Sequence, residues 1–159
     1  GEGFAKVNAT LDPAFKPLTV GAWVWLESSK GVILAQGGEA QGYVLAIDEG
    51  KPLFGVRSEG KLTTVTGDDA LPRGRWVHVL GNLDAGGKLR LWVDGKAQKQ
   101  TPQANHLTRR PADGISIGRD TGSPVGSYRD EGPFTGRLRG LRIYWGLPDE
   151  KEINTWLGR

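Results

Sequence analysis

The chain contains no cysteine and no methionine among its 159 residues. Without cysteine there is no disulfide framework, no thiolate nucleophile and no Cys-based zinc site. A translated protein starts with Met and this chain starts with Gly1, so it reads as a module excised from a larger protein or a processed segment. Long apolar stretches are missing too. No uncharged run approaches the roughly 20 residues of a membrane span, and no signal-peptide pattern stands at the start. Charge of one sign is not in excess: 21 Lys+Arg against 18 Asp+Glu leave a net +3. That balance does not require a polyanionic partner, and no nucleic acid is expected.

Glycine and tryptophan are what the chain has. Its 25 Gly and 9 Pro make up about a fifth of the residues, against roughly 12% in average usage. They lie between solid apolar runs, so they mark tight turns rather than disorder. Six Trp and a hydrophobic fraction of 37% supply a core. At this length roughly 68–70% of the chain's surface can be buried, in one domain covering 1–159. The arginines are unevenly placed. Residues 101–147 hold seven Arg, no Lys, three Asp and one Glu. Guanidinium forks match oxyanions bidentately, so this stretch is suited to phosphate, sulfate or carboxylate groups.

Alternating or β-branched runs recur along the chain. The clearest is Leu18–Leu26, where Leu18, Val20, Ala22, Val24 and Leu26 share one face and Thr19, Gly21, Trp23 and Trp25 the other. Further strands are expected at Gly31–Gln36, Gly42–Asp48, Pro52–Ser58, Lys61–Thr66, Arg75–Leu83, Lys88–Asp94, Lys96–Thr101, Gly114–Gly118 and Phe134–Trp145. Connections such as Asp48-Glu49-Gly50-Lys51, Ser58-Glu59-Gly60-Lys61 and Val93-Asp94-Gly95-Lys96 put Gly where a hairpin needs positive φ. Leu138 and Leu141 have opposite strand parities, which predicts a bulge at Arg139-Gly140.

One helix is expected, over Leu147–Leu157. Acidic residues fill its first turn, Ile153, Trp156 and Leu157 form an apolar stripe, and Gly158 ends it. On this reading Trp156 is a core residue. Asp120–Pro133 is the longest break without a strand signal, and long loops on a rigid β scaffold often carry function. Eleven or so short strands with one helix are best accommodated as two packed sheets.

Three segments carry a family resemblance. Leu18-Thr19-Val20-Gly21-Ala22-Trp23-Val24 resembles the early core strand of laminin G-like, concanavalin A-like jelly rolls. Gly74-Arg75-Trp76-Val77-His78-Val79 and then Leu89-Arg90-Leu91-Trp92-Val93-Asp94-Gly95 resemble their paired Trp-x-His and aromatic-x-Asp-Gly strands. Phe134-Thr135-Gly136-Arg137-Leu138 through Leu141-Arg142-Ile143-Tyr144, followed by a short acidic helix, resembles their C-terminal strand and ending. The resemblance implies an all-β, two-sheet antiparallel jelly-roll sandwich with one short C-terminal helix. It departs from the family at one place, where Arg139 and Gly140 replace the usual acidic pair of the last strand.

A narrower resemblance is carried by Gly31-Val32-Ile33-Leu34-Ala35-Gln36-Gly37-Gly38, Gly42-Tyr43-Val44-Leu45, Gly50-Lys51-Pro52 and Phe54. These look like the β-rich C-terminal module of many bacterial arylsulfatases. That resemblance implies an accessory domain of a secreted, periplasmic or cell-surface hydrolase, with the catalytic domain elsewhere in the same parent chain. The sulfatase signature, Cys or Ser followed by x-Pro-x-Arg, does not occur here.

Catalytic constellations are not found in the sequence. Laminarinase-type hydrolases of this architecture need two carboxylates about 5–5.5 Å apart, and no Glu-x-Asp occurs. Asp48-Glu49, Asp68-Asp69 and Asp130-Glu131 have adjacent members, which point to opposite sides of a strand and fit turns better. His78 reads as a structural hydrogen-bonding residue, and His106 has no second ligand at metal spacing. No Ser lies in a nucleophile elbow, and no phosphate-binding glycine loop is present.

Binding is better supported. Sugar rings present apolar C–H faces that stack on indoles. Trp23, Trp76 and Trp92 fall where the resembling family commonly has aromatics, whereas Trp25 and Trp145 fall where it is usually polar. Trp25 and Trp145 are therefore the candidate sugar platforms, Arg90 a neighbour on the Trp25 face if the two strands are adjacent, and Arg109, Arg110, Arg119 and Arg129 the candidate anion contacts. The resemblance also makes Ca2+ a candidate ligand, with Asp120, Asp130 and Glu131 as oxygen donors. The expected function is a non-catalytic carbohydrate-binding module for a polysaccharide, acidic or sulfated. The alternative is a structural accessory domain with no ligand of its own, recognisable by a large exposed apolar patch.

Overall fold

The computed structural model describes residues 3–7 and 11–159. Eleven strands and one helix follow one another as β1 (Ala5–Val7), β2 (Leu18–Leu26), β3 (Gly31–Gly37), β4 (Gly42–Asp48), β5 (Lys51–Ser58), β6 (Lys61–Thr66), β7 (Val77–Leu83), β8 (Leu89–Val93), β9 (Lys96–Ala97), β10 (Ile115–Ile117), β11 (Gly136–Trp145) and α1 (Glu150–Trp156). They form two antiparallel sheets, ordered β1-β10-β3-β4-β5-β6 and β11-β2-β7-β8-β9. The jelly-roll sandwich expected from the sequence is the observed fold. Most strand limits agree to within one or two residues, one strand is much shorter than expected, and one was not expected. The run Lys96–Thr101 keeps strand pairing only over Lys96–Ala97, and β1, three exposed residues too short to stand out in the sequence, pairs with β10.

The core lies between the sheets. Leu18, Val20, Ala22, Val24 and Leu26 of β2 and Val77, Val79 and Leu83 of β7 meet Tyr43, Leu45, Ile47, Phe54, Val56 and Val65 of the other sheet. The sheets approach so closely at Gly81 that a β-carbon there would collide with the Phe54 ring. The chain turns tightly between strands: Glu49-Gly50, Glu59-Gly60 and Asp94-Gly95 all adopt positive φ, the conformation of a two-residue hairpin turn.

The two outer faces are treated differently. On the first sheet, Val32, Ala35, Val44 and Ala46 form a second apolar cluster, which Val125 covers and against which Tyr128 packs. The long loop 120–133 therefore seals that face. On the second sheet, α1 covers only one end. Asp149 caps the helix by accepting the Glu152 N–H at 2.8 Å, and Gly158 at φ 75° ends it. Trp156 is not a residue of the inter-sheet core. It is half-buried on the outer face, where the Trp23 indole N–H donates to its carbonyl at 3.0 Å. Its ring meets Tyr144 of β11 edge to face at 6.1 Å, so α1 is tied to the outer face through aromatic residues that β2 and β11 turn outward.

Candidate functional site

The last strand builds the most distinctive surface. β11 pairs with β2 so that Arg137 lies opposite Trp25, Arg139 opposite Trp23, Arg142 opposite Gly21 and Tyr144 opposite Thr19. The register shifts between Arg139 and Arg142, and Gly140 takes φ 58°. The bulge foreseen from the leucine parities is present. Its effect is specific: the extra residue keeps Leu138, Leu141 and Ile143 packed on the core while Arg137, Arg139, Arg142 and Tyr144 all turn outward.

These arginines lie over tryptophans. The Arg137 guanidinium is 5.4 Å from the centre of the Trp25 ring. Arg139 lies 5.5 Å from Trp23 and 4.3 Å from Trp76, so one side chain spans from β11 across β2 to the start of β7. Arg142 lies 5.2 Å from Trp156 and donates to the Gly140 carbonyl at 3.3 Å. Trp25 and Trp76 meet edge to face at 6.0 Å. Cations over indole faces at these distances are attractive, more so where water is partly displaced. The helix bounds the site at the Trp23–Trp156 end, and the Trp25–Trp76 end stays open.

The surroundings of this surface are locked. His78 is 1% exposed beneath it, edge-on to Trp23 at 5.2 Å, and its backbone N–H donates to Asp94 at 2.9 Å. Burial holds its imidazole down to about 4, and the Arg142 charge adds to the effect. Its Nε2 has no hydrogen-bond partner, as a neutral imidazole under an aromatic layer allows. Asp94 also pairs with Arg75 at 3.0 Å. His78 is thus a packed structural residue, as its sequence context suggests.

The residues singled out from sequence are distributed over several regions. Trp25 is in the surface just described. Trp145 is not: it stands opposite Leu18, whose side chain is in the core, so it projects from the other face at the end of the sheet. There it is 40% exposed, with the Lys16 ammonium 5.0 Å from its ring. Arg90 does not join Trp25. β7 separates β2 from β8, and Arg90 is held by Asp84 at 3.1 Å, where it braces the turn before β8. The condition that the two strands be neighbours is not met. Arg109, Arg110 and Arg129 are exposed on loops. Arg119 is half-buried over Phe4 at 4.9 Å and 3.5 Å from Glu131.

Asp120 has a role inside its own loop. It is 2% exposed, its backbone N–H donates to the Glu131 carbonyl, and its carboxylate accepts the Val125 N–H at 2.7 Å and the Tyr128 hydroxyl. Burial pushes its carboxyl up to about 6, with Asp113 and Glu131 adding in the same direction. Asp130 and Glu131 are exposed in left-handed conformation. Among the described residues no group of three or more His, Asp or Glu side chains is placed to hold a metal ion.

Arg137, Arg139, Trp23 and Trp76 were not among the residues selected from sequence. In the sequence Trp23 and Trp76 fall at common aromatic positions of the resembling fold. The available signal was the outward parity of Trp23 and Trp25 together with the arginine alternation 137, 139, then 142 after the bulge. That β11 lies beside β2 in this register is a long-range fact no local pattern carries.

The comparisons agree with this architecture. The laminin G type 3 family model, described as the concanavalin A-like lectin/glucanases superfamily, matches residues 1–154. The chain belongs to that superfamily. Among solved structures it is similar to domains LG4-5 of the mouse laminin α1 chain, with TM-score 0.70, 15% identity, and coverage of 90% of this chain and 39% of that one. It is similar to the CBM40 of the Ruminococcus gnavus IT-sialidase bound to α2,3-sialyllactose, with TM-score 0.69, 16% identity, and coverage of 90% and 83%. The receptor binding domain of botulinum neurotoxin D matches with TM-score 0.68, 15% identity, and coverage of 98% and 40%. The chain spans about two-fifths of the length of the laminin and neurotoxin chains it resembles. No curated protein matches it. Among the described residues no helix is long and apolar enough to cross a membrane.

Proposed function

We propose that this chain is a non-catalytic carbohydrate-binding module that takes an acidic or sulfated polysaccharide on the outer face of its second sheet. The observation that carries the reading is the group Trp25, Trp76, Arg137 and Arg139: two indoles and two guanidiniums held on one rigid sheet face. Rigid strands present such groups with little ordering cost on binding. The superfamily, and a solved relative bound to a sialylated sugar, favour a glycan over other ligands. Glu49, Asp130 and Glu131 sit in left-handed conformation, which suits the reading of Asp48-Glu49 and Asp130-Glu131 as turn pairs. Secretion, and a sulfatase-type catalytic domain in the same parent chain, belong to this proposal through the sequence resemblance alone. Affinity electrophoresis in gels containing neutral, uronate and sulfated polysaccharides tests it. Retardation is expected in at least one acidic gel, and free migration in every gel contradicts it.

A structural accessory role is favoured by a different observation. Phe15, Trp145 and Leu147 are 72%, 40% and 48% exposed, and their segments are joined by the Gly146 N–H donating to the Pro17 carbonyl at 2.9 Å. Exposed aromatics grouped in this way suit contact with a neighbouring domain. On that reading, charged substitutions at Phe15 and Trp145 destabilise the catalytic domain of the intact parent and leave the isolated module unchanged.

A further inference from the structure

The carbohydrate-binding reading leaves open what the arginines select. A neutral sugar ring stacks on a bare indole face. Here those faces carry guanidiniums: Arg137 over Trp25, and Arg139 over Trp76 and Trp23. A guanidinium held over a ring face leaves N–H donors of its planar fork directed away from the ring. Such a fork accepts a sulfate or carboxylate without leaving the indole.

The pairing of the other arginines sharpens the contrast. Three of them, Arg75, Arg90 and Arg119, have carboxylate partners in Asp94, Asp84 and Glu131, and exposed loop arginines such as Arg109, Arg110 and Arg129 have neither a carboxylate nor a tryptophan partner among the described residues. Arg137 and Arg139 have no carboxylate partner among the described residues, and both are exposed. Their charge is therefore neither neutralised locally nor needed by an internal ion pair. Two residues apart on one strand face, their Cα atoms are about 6.7 Å apart, so they present two donor edges to one ligand. Arg142 is already engaged by Trp156 and the Gly140 carbonyl and lies at the helix end.

We propose that Arg137 and Arg139 set the specificity of the site by capping Trp25 and Trp76, admitting anionic groups of a glycan edge-on and keeping neutral rings off the indoles. This rests on the carbohydrate-binding reading and goes further, because it predicts a change of ligand class when the caps are removed.

The test uses a matched pair, dextran sulfate beside its neutral desulfated form dextran, with heparin as a second sulfated glycan and polyglutamate as a non-carbohydrate polyanion. The proteins are the wild type, the Arg137→Ala/Arg139→Ala double variant, the corresponding double Gln variant, which keeps a flat polar cap without charge, and the double Lys variant. The wild type is expected to prefer a sulfated form over its desulfated form by tenfold or more, with binding that weakens as salt is raised. The double Ala variant loses at least tenfold on the sulfated probe and gains binding to the desulfated one. The Gln variant loses the sulfated probe and does not gain the neutral one. The Lys variant keeps charge without the planar fork and is expected to lose several-fold. Wild-type preference for the desulfated form overturns this inference and leaves the carbohydrate reading standing. Sulfate binding unchanged in the Ala and Gln variants also overturns it, placing the site elsewhere. Equal affinity for polyglutamate overturns it as unselective charge binding, and no binding to any glycan removes the underlying reading as well.

Discussion

The guanidinium of Arg139 lies 4.3 Å from the ring centre of Trp76, although the two residues are 63 positions apart and β2 runs between their strands. That contact exists because three local features coincide. The Trp-x-His segment leads into β7 at the open end of the sheet. β11 sits at the sheet edge against β2. The bulge at Gly140 lets Leu141 face in as Leu138 does, so that Arg139 and Arg142 both face out. One consequence is that this surface depends on backbone geometry several residues away.

Gly136 gives the sharpest test of that dependence. It begins β11 at φ 146°, and a β-carbon there would fall on the Trp25 carbonyl oxygen. Gly136→Ala is expected to cost at least 2 kcal/mol, in the range of about 1–3 kcal/mol for a forced backbone outlier with a clash added. Gly140→Ala meets only ordinary contacts, at 3.4 Å from Trp23 and Arg142. It is expected to cost about 1–2 kcal/mol, from its left-handed φ alone. Urea unfolding of the two variants checks the order; a larger loss at Gly140 contradicts it.

Between the sheets, Phe54 and Gly81 fit each other. Phe54→Ala is expected to destabilise by about 3–5 kcal/mol, and Gly81→Ala by about 1–3 kcal/mol through overpacking. The double variant is expected to lose less than the sum, because the added methyl enters the space the ring vacates. Additive losses in a double-mutant cycle count against this packing.

Asp120 and His78 pull the pH dependence of stability in opposite directions. The Asp120 carboxyl is raised from its ordinary 3.8 to about 6. The folded chain holds that proton more tightly, so the contribution is full below about pH 4 and lost as pH rises through 6. The His78 imidazole is lowered from 6.5 to about 4. Its contribution is present above pH 6.5 and lost as pH falls toward 4. Asp120→Asn removes the first effect and leaves the second. Relative to wild type, it is expected to lose roughly 2–3 kcal/mol more between pH 6.5 and pH 4. Urea midpoints at pH 4, 5, 6 and 7 show this, and parallel curves for the two proteins contradict it.

The helix is held by its cap as well as by Trp156. Asp149→Ala removes the acceptor of the Glu152 N–H and is expected to cost about 1 kcal/mol, a fall of roughly 2–4 °C in Tm. Thermal unfolding followed by Trp fluorescence measures both, since Trp23 donates to the helix.

Much of this fold was legible because its signals are local. Turns such as Glu59-Gly60 and Asp94-Gly95 declare themselves by composition, and β2 by the alternation from Leu18 to Leu26. Even the bulge was visible, since two leucines of opposite parity cannot both face a core without it. The candidate site was less legible. Trp25 and Trp145 looked equivalent in sequence, and only the register against Arg137 and Leu18 shows that they lie on opposite faces. Asp120 looked like a metal donor, because nothing in the sequence shows that Tyr128 and Val125 fold back onto it. Arg139 could be seen to replace a carboxylate, but the ring it covers belongs to a segment more than sixty residues away.

The central claim is the location of the site, and the most direct measurement is a two-dimensional NMR titration with a sulfated oligosaccharide prepared from heparin. It follows the indole Nε1–H signals of the six tryptophans and the Nε–H signals of the arginines. Saturable shifts concentrated on Trp25, Trp76, Arg137 and Arg139 are expected, with Trp145 and Arg90 little changed. Shifts centred on Arg109, Arg110 and Arg129 or on the loop 120–133, with the Trp25 and Trp76 signals unmoved, would contradict that location.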